Sequence, residues 1–348
     1  MEDLTPILDR VDKRLSSCSI WLSHAGRLEM VNSAITPITT YAMCTIKLPK
    51  GVIEYIDRAR KQCLWRGNDP EKKGGNMVAW PVVQQPKEKG GLGVINLKVQ
   101  NDALLLKQLN KFYNKADIPW VQIVWHRYYR NRVPHATREM GSFWWKHLLR
   151  LNELFRTIAR CQLGNGASVC FWEDSWGINI LSQTYPRLAS FAKKEDASVL
   201  ELMQTVHLDD IFNLPLSEQA SRELEELQTQ LQELPYDSDA KDKWQPIWGN
   251  TYTAKKFYNH VFSIVEAHPV FRVMWKAKCT PRIKFFIWLI LVDRLNTKSM
   301  LQRRHLNVQD NTLCIMCDLR EEETTEHLFF QCPFARNCWN KLHFVWDN

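Results

Sequence analysis

Four side chains near the C-terminus have the types and the spacing to close around one metal ion. In CIMCDLREEETTEHLFFQC, Cys314 and Cys317 are separated by two residues, His327 follows after nine more, and Cys332 after a further four. A two-residue gap lets two thiolates turn onto one metal, and the longer loop returns a histidine and a third cysteine to the other corners of a tetrahedron. The ion such a set suits is Zn2+. It would bind deprotonated thiolates and a neutral imidazole with an apparent energy of about 10–16 kcal/mol, so that metal binding is part of folding. Four protein ligands leave no position open for water, which makes the site structural and not hydrolytic. Glu326 beside His327 does not complete the HExxH spacing of a metalloprotease. Cys338 is a competing fourth ligand, and a cluster of buried reduced cysteines without metal is the alternative reading.

The elements that must position these residues belong to a chain of 348 residues, 45% hydrophobic and with 15 tryptophans, enough for two or three cored domains. Ten cysteines behind the opening MEDLTPILDR, which lacks a charged-then-apolar leader, point to reduced thiols inside the cell, in nucleus or cytoplasm, and not to secretion. Paired disulfides are the alternative. The most apolar run, IKFFIWLILV at 283–292, is about half of the ~20 residues a membrane span needs, and it contains Lys284. It reads as a buried helix, with no membrane partner.

Charge is unevenly distributed along the chain. From Arg272 to Arg304 nine basic residues face the single acid Asp293, whereas from Glu195 to Asp239 twelve acids face the single base Arg222. One basic binding face and one acidic, solvated connector are expected. If the basic face grips the phosphates of RNA or DNA, the candidates are Lys276, Lys278, Arg282, Arg303 and Arg304, which flank the apolar run, while Lys284 inside it snorkels.

The fold class expected is mainly α with small β elements, in several domains. Apolar residues at three-and-four spacing predict helices in LDRVDKRLSSCSIWL, in RLEMVNSAITPITTYAM with a bend at Pro37, and in GVIEYIDRARKQCLW with Arg58, Arg60 and Lys61 turned outward. WPVVQQPKEKGGLGVINL reads as a turn-rich loop and not a phosphate cradle, since it lacks the Lys-Ser/Thr of a P-loop. NDALLLKQLNKFYNK and the acidic SEQASRELEELQTQLQEL read as helices. Asn165-Gly166 predicts a hairpin with VCFW as its returning strand, and the adjacent Glu173 and Asp174 serve as caps, since neighbours on a strand face opposite ways. A strand or hairpin then a helix is expected in WQPIWGNTYTAKKFYNHVF, and a Pro-started helix in PRIKFFIWLILV.

Five pieces in order, KRLSSCSIWLSHAGRLEMVNSAI, IDRARKQCLWRG, VAWPVVQQPKEKGGLGVINL, GNGASVCFWEDSW, and PRIKFFIWLILVDRLNT with the Cys-Cys-His-Cys run, resemble the plant non-LTR retrotransposon reverse transcriptases in the region after the polymerase palm. The resemblance implies a helical thumb-like region at 1–115, an irregular Trp-rich connector at 116–240, and a small zinc-stabilised helical domain of the reverse-transcriptase zinc-binding type at 241–348. It also favours His327 over Cys338, because the family motif has His, two apolar residues and then Cys. Since it begins after the palm, it implies a chain without polymerase, endonuclease or ribonuclease H activity. The one Asp-Asp pair, Asp209-Asp210, follows His207-Leu208 in place of the palm's aromatic and small residue. The function expected is a non-catalytic, zinc-containing nucleic-acid-binding fragment. A zinc-stabilised protein-interaction module and a remnant without selected activity are the alternatives.

Overall fold

The computed structural model describes residues 4–15, 21–67, 75–129, 133–134, 140–176, 179–205, 208–233, 237, 239–249, 251–306 and 311–344. Cys18 and His207 lie outside them. The described chain is mainly helical, with one two-stranded sheet, and divides into two compact units that are interleaved in sequence. One comprises Met1–Ile38, Glu54–Asn96 and Val265–Asn348, the other Thr39–Ile53 and Leu97–Ile264. This division follows contacts, and its borders differ from those of the three segments read along the sequence.

In the unit that holds the C-terminal residues, the first helix runs over Thr5–Leu15 and buries Val11 and Leu15. The second begins at His24, where Ser23 accepts a hydrogen bond from the Gly26 amide, and does not end at Pro37. It widens into a π turn over Val31–Ile35 and tightens into a 3-10 turn over Thr36–Thr39. A proline cannot donate a backbone hydrogen bond, and a change of helical pitch accommodates it without breaking the run. The helix Lys50–Arg66 buries Val52, Ile56, Cys63 and Leu64 as its periodicity predicts.

Arg60 on that helix departs from expectation, for its side chain is fully buried. A buried guanidinium must have its donors satisfied. Arg60 Nη1 meets Asp57 Oδ1 at 2.9 Å, and Nη2 donates to the Ile95 carbonyl at 2.8 Å. Both Arg60 and Asp57 thus tie the helix to the loop 84–96, where Gln84 Nε2 also reaches Asp57 at 3.2 Å.

That loop is a turn, as read. Its amides bond the chain's own carbonyls, Gly91 to Pro86 at 3.1 Å, Leu92 to Val83 at 3.2 Å and Gly93 to Gln85 at 3.0 Å, so they do not converge on an outside ligand. A Cβ at Gly91 would come 2.1 Å from the Gln85 carbonyl oxygen, which only glycine avoids. The Gly90 carbonyl accepts the indole N–H of Trp288 at 2.8 Å. The loop therefore seats the helix Pro281–Leu291, which begins with Thr280 capping the Ile283 amide and Pro281 in its first turn, and buries Phe285, Trp288 and Leu289. His24 stacks on Phe285 with ring centroids 5.4 Å apart.

The other unit is organised on the helix Leu97–Tyr113, whose Leu105, Leu106, Leu109, Phe112 and Tyr113 are buried. Phe112 stacks on Trp125 at 4.4 Å and Tyr113 on Phe155 at 4.9 Å. Asn101, also buried, ties this helix to the segment before Lys50, accepting from the Leu48 amide at 2.7 Å and donating to the Met43 and Ile46 carbonyls at 2.9 Å each. The helix Glu218–Glu233 buries Ala220, Leu224 and Leu227 in the same core, so the acidic stretch is a packed element with one solvated face.

The hairpin at Asn165-Gly166 is not formed as predicted. The strand Ala159–Gln162 pairs antiparallel with Lys243–Pro246, and VCFW at 169–172 runs through turns. The reason is Asp242, one residue before the partner strand. Its buried carboxylate accepts from the amides of Gly164 at 3.0 Å, Gly166 at 2.7 Å and Ser168 at 2.8 Å, and from the Ser168 hydroxyl at 2.9 Å. One acceptor thus folds the loop inward and leaves the strand free for a distant partner. Asp174 serves within the turn: Oδ2 accepts from the Cys170 amide at 2.6 Å, and Oδ1 lies 2.7 Å from Arg156 Nε.

Replacing Asp242 by Ala should leave three buried amides without an acceptor and cost at least about 3 kcal/mol, since each orphaned donor costs about 1–3 kcal/mol. The urea midpoint of the variant should fall well below that of the intact chain, while Glu173→Gln should stay within about 0.5 kcal/mol of it.

Candidate metal centre

Each of the four residues at the C-terminal cluster is placed by a short, hydrogen-bonded element. Leu313 and Glu322 form an isolated antiparallel bridge, flanked by hydrogen bonds from the Cys314 amide to the Glu321 carbonyl and from the Glu323 amide to the Thr312 carbonyl, both 2.8 Å. Between these rungs the chain reverses through Cys314-Ile315-Met316-Cys317. The Met316 amide points at Cys314 Sγ, 3.4 Å away. Thr324 then caps the next element by accepting from the His327 amide at 3.1 Å.

The segment His327–Gln331 is a π turn, closed by a 2.7 Å hydrogen bond from the Cys332 amide to the His327 carbonyl. On a regular α-helix, five residues advance about 500°, which would turn Cys332 about 140° from His327. The wider π turn brings them nearer one face. Pro333 opens the helix Pro333–Lys341 directly behind Cys332.

The result is one cluster in which a ligand atom from each of Cys314, Cys317, His327 and Cys332 lies within 4.8 Å of all the others. A tetrahedron with metal–sulfur bonds of about 2.3 Å has sulfur–sulfur edges of about 3.8 Å, so small adjustments would close this set on an ion. Three soft sulfurs and one imidazole fit zinc, and Cys314, His327 and Cys332 are buried. Cys338 is exposed on the last helix and outside the cluster. The described cysteines are all free thiols.

The thiols do not share one electrostatic environment. Burial opposes ionisation of Cys332, but the amides of Ala335 and Phe334 at the start of its helix, with the neighbouring thiols, hold it below the ordinary thiol value. The Leu319 amide favours the Cys317 thiolate, yet burial and the adjacent Cys332 and Cys314 keep that thiol above its ordinary value.

A fifth residue, not identified from spacing, touches the site. Glu321 Oε2 lies 2.7 Å from His327 Nδ1, off the line of an ideal N–H bond, while His327 Nε2 faces Cys317 Sγ at 3.4 Å. A carboxylate against Nδ1 keeps the proton on that nitrogen and leaves Nε2 to the metal side. The acidic run REEETTE gave the signal, but nothing in the order of its glutamates singles out the one that folds back.

The basic residues of 272–304 separate into two groups. In the second half the side chains are engaged by the fold: Lys284 donates to the Trp275 carbonyl, Lys298 to that of Leu313 and Arg294 to that of Asp293, at 2.8–2.9 Å. Arg303 pairs with Asp293 at 3.2 Å, and Arg304 is partly buried with its guanidinium on the Met77 carbonyl. Lys276, Lys278 and Arg282 are exposed, as is Arg272, and no hydrogen bond or ion pair engages their side chains among the described residues. Of the five phosphate-gripping candidates, three are exposed without a side-chain partner, Arg303 is exposed but paired with Asp293, and Arg304 is partly buried on the Met77 carbonyl. Arg272 joins the three. Asp209 and Asp210 stand exposed on the 3-10 turn Leu208–Ile211, where the Asp210 carbonyl accepts from Lys193.

Comparison with known proteins agrees with this centre. Residues 252–339 match the family of zinc-binding domains in reverse transcriptase, a segment that holds all four cluster residues. The chain is 23% identical over 351 aligned positions, 97% of its own length, to an Arabidopsis thaliana protein named "Putative ribonuclease H protein", of which it spans 55%. It is 26% identical over 146 positions, 40% of its length, to an uncharacterised mitochondrial protein of the same plant, of which it spans 92%. The matched segment 252–339 is similar to the zinc-binding domains of reverse transcriptases, in line with what the Cys-Cys-His-Cys motif implied. No helix among the described residues is long and apolar enough to cross a membrane.

Because Glu321 holds the histidine through Nδ1, Glu321→Gln should weaken zinc binding by about 10- to 100-fold, read by competition with a chromophoric chelator. Glu322→Gln, one residue along, should leave it unchanged.

Proposed function

We propose that the chain is a non-catalytic, zinc-containing nucleic-acid-binding segment derived from a non-LTR retrotransposon reverse transcriptase, working inside the cell. Zinc bound by Cys314, Cys317, His327 and Cys332 fills all four tetrahedral positions with protein ligands, so its role is to hold the C-terminal turns together. The observation that carries the nucleic-acid reading is the set of exposed, unengaged cations Lys276, Lys278 and Arg282, joined by Arg272, in a segment whose basic side chains from Lys284 onward have partners within the fold. Cations left solvated next to a rigid metal-stabilised region suit phosphate contacts, which position a strand without reading its sequence.

A zinc-stabilised protein-interaction module is the second reading. It is favoured by Ile315, Met316 and Leu319 on the reversing turn, of which Ile315 is 75% exposed. Salt dependence separates the two. The exposed setting of Asp209-Asp210, on a short turn with no strand to present both carboxylates to one pair of metals, supports the non-catalytic part.

Metal analysis of the purified chain should give one zinc per molecule, and Cys317→Ser should lower both that content and the melting temperature while Cys338→Ser changes neither. Affinity for a single-stranded oligonucleotide should fall with salt by a log-log slope near −0.7 per contact. Reversing the charges of Lys276, Lys278 and Arg282 together should flatten the slope by about three contacts' worth, with zinc content intact, whereas Arg303→Glu should leave it nearly unchanged. An unaltered slope in the triple variant would move the assignment to a protein partner. Primer extension with magnesium or manganese should show no activity; extension that tracks the protein and survives Asp209→Ala with Asp210→Ala would overturn the non-catalytic reading.

A further inference from the structure

The helix Pro281–Leu291 turns Phe285, Trp288 and Leu289 inward, yet it also carries a large aromatic residue on its outer face: Phe286 is 42% exposed. An exposed phenylalanine on so short a helix forgoes burial of its ring. Its surroundings are specific. Arg282 lies one helical turn earlier, and residues four apart on a helix face are neighbours, with about 5–6 Å between their Cβ atoms. Arg282 is exposed and unengaged, and Lys276 and Lys278 precede it at the end of the helix Val270–Lys276 and in the turn that follows.

Behind Phe286 the ring of Phe329 stands edge to face, centroids 6.0 Å apart and planes at 68°. Phe329 is itself fixed, because it belongs to the π turn between His327 and Cys332 and its carbonyl accepts the indole N–H of Trp339 at 2.7 Å. The candidate metal ligands thus brace the residue that braces Phe286.

A rigid aromatic ring beside solvated cations is the arrangement that binds unpaired nucleotides: the cations hold phosphates and the ring stacks a base. Bases inside a duplex are already stacked on each other and cannot reach a side chain on a helix face, whereas those of a single strand can splay onto it. We infer that Phe286 is a base-stacking platform for single-stranded nucleic acid, with Arg282, Lys278 and Lys276 holding the phosphates beside the stacked base. This rests on the nucleic-acid reading above and adds to it a strand type and a contact with the base. The charge next to the ring selects the occupant, since an uncharged apolar partner would leave the Arg282 guanidinium, one turn from Phe286, unanswered.

The test uses the full-length zinc-loaded chain and three fluorescein-labelled 12-nucleotide probes of one sequence, read by anisotropy at fixed salt: a single strand, its duplex, and the single strand with abasic sites that keep every phosphate. The intact chain should bind the base-bearing single strand about tenfold more tightly than the abasic one, within the range set by base–aromatic stacking. Phe286→Leu, which keeps apolar bulk but removes the ring face, should erase that preference without altering zinc content or the salt slope. Phe286→Tyr should retain it. If Phe286→Leu keeps the preference, or if Phe286→Tyr loses it too, the platform is wrong while a persisting salt slope upholds the phosphate contacts. If none of the probes binds in a salt-dependent way, the nucleic-acid reading itself fails, and the platform with it.

Discussion

A helix as apolar as Pro281–Leu291 has to be covered, and the C-terminal unit is arranged around that demand. Trp288 is wholly buried, so its indole N–H needs an acceptor in the interior, and the Gly90 carbonyl supplies it. For that carbonyl to be presented, residues 83–94 must fold back on themselves, which fixes the glycine at 91. For the same loop to be held, Arg60 must enter the core with Asp57. His24 closes over Phe285 from the N-terminal segment. What remains uncovered is the strip with Arg282 and Phe286, and the metal-binding turns stand against its ring through Phe329. Burial on one face and exposure on the other thus place the core and the candidate binding surface on opposite sides of one eleven-residue helix.

The metal cluster was legible because its chemistry is local. Ligand type and spacing determine what can converge on an ion, and the four residues singled out do lie together. Glu321 was not legible among three consecutive glutamates, because its distinction comes from the path of a loop. The helices were legible where apolar spacing was regular, as at Lys50–Arg66 and Leu97–Tyr113. The π and 3-10 turns around Pro37 were not, because hydrophobic period does not report a local change of pitch.

The errors share a cause. Arg60 and Asp242 are charged residues in polar-looking stretches, and a charge in a sequence is read as solvated until its partner is known. Asp242 finds three amides almost eighty residues earlier, and Arg60 finds a carbonyl thirty-five residues later. Such pairings are set by the tertiary fold. Asn165-Gly166 shows the complementary failure: a strong local turn signal was present and the turn formed, but the strand before it found a partner eighty residues away.

The interleaving of the two units has a consequence for biosynthesis. The unit built from Thr39–Ile53 and Leu97–Ile264 has all its residues once position 264 has left the ribosome. The other has segments at both ends of the chain. At about 5–20 residues per second, the 168 residues from 97 to 264 alone take about 8 to 34 seconds, and residues 54–96 wait longer than that for the helix whose Trp288 bonds Gly90. Throughout that interval the Gly90 carbonyl has no Trp288 indole to accept from. The nascent segment 54–96 is thus open to chaperones over that interval, and the four cluster residues from Cys314 to Cys332 are made later still.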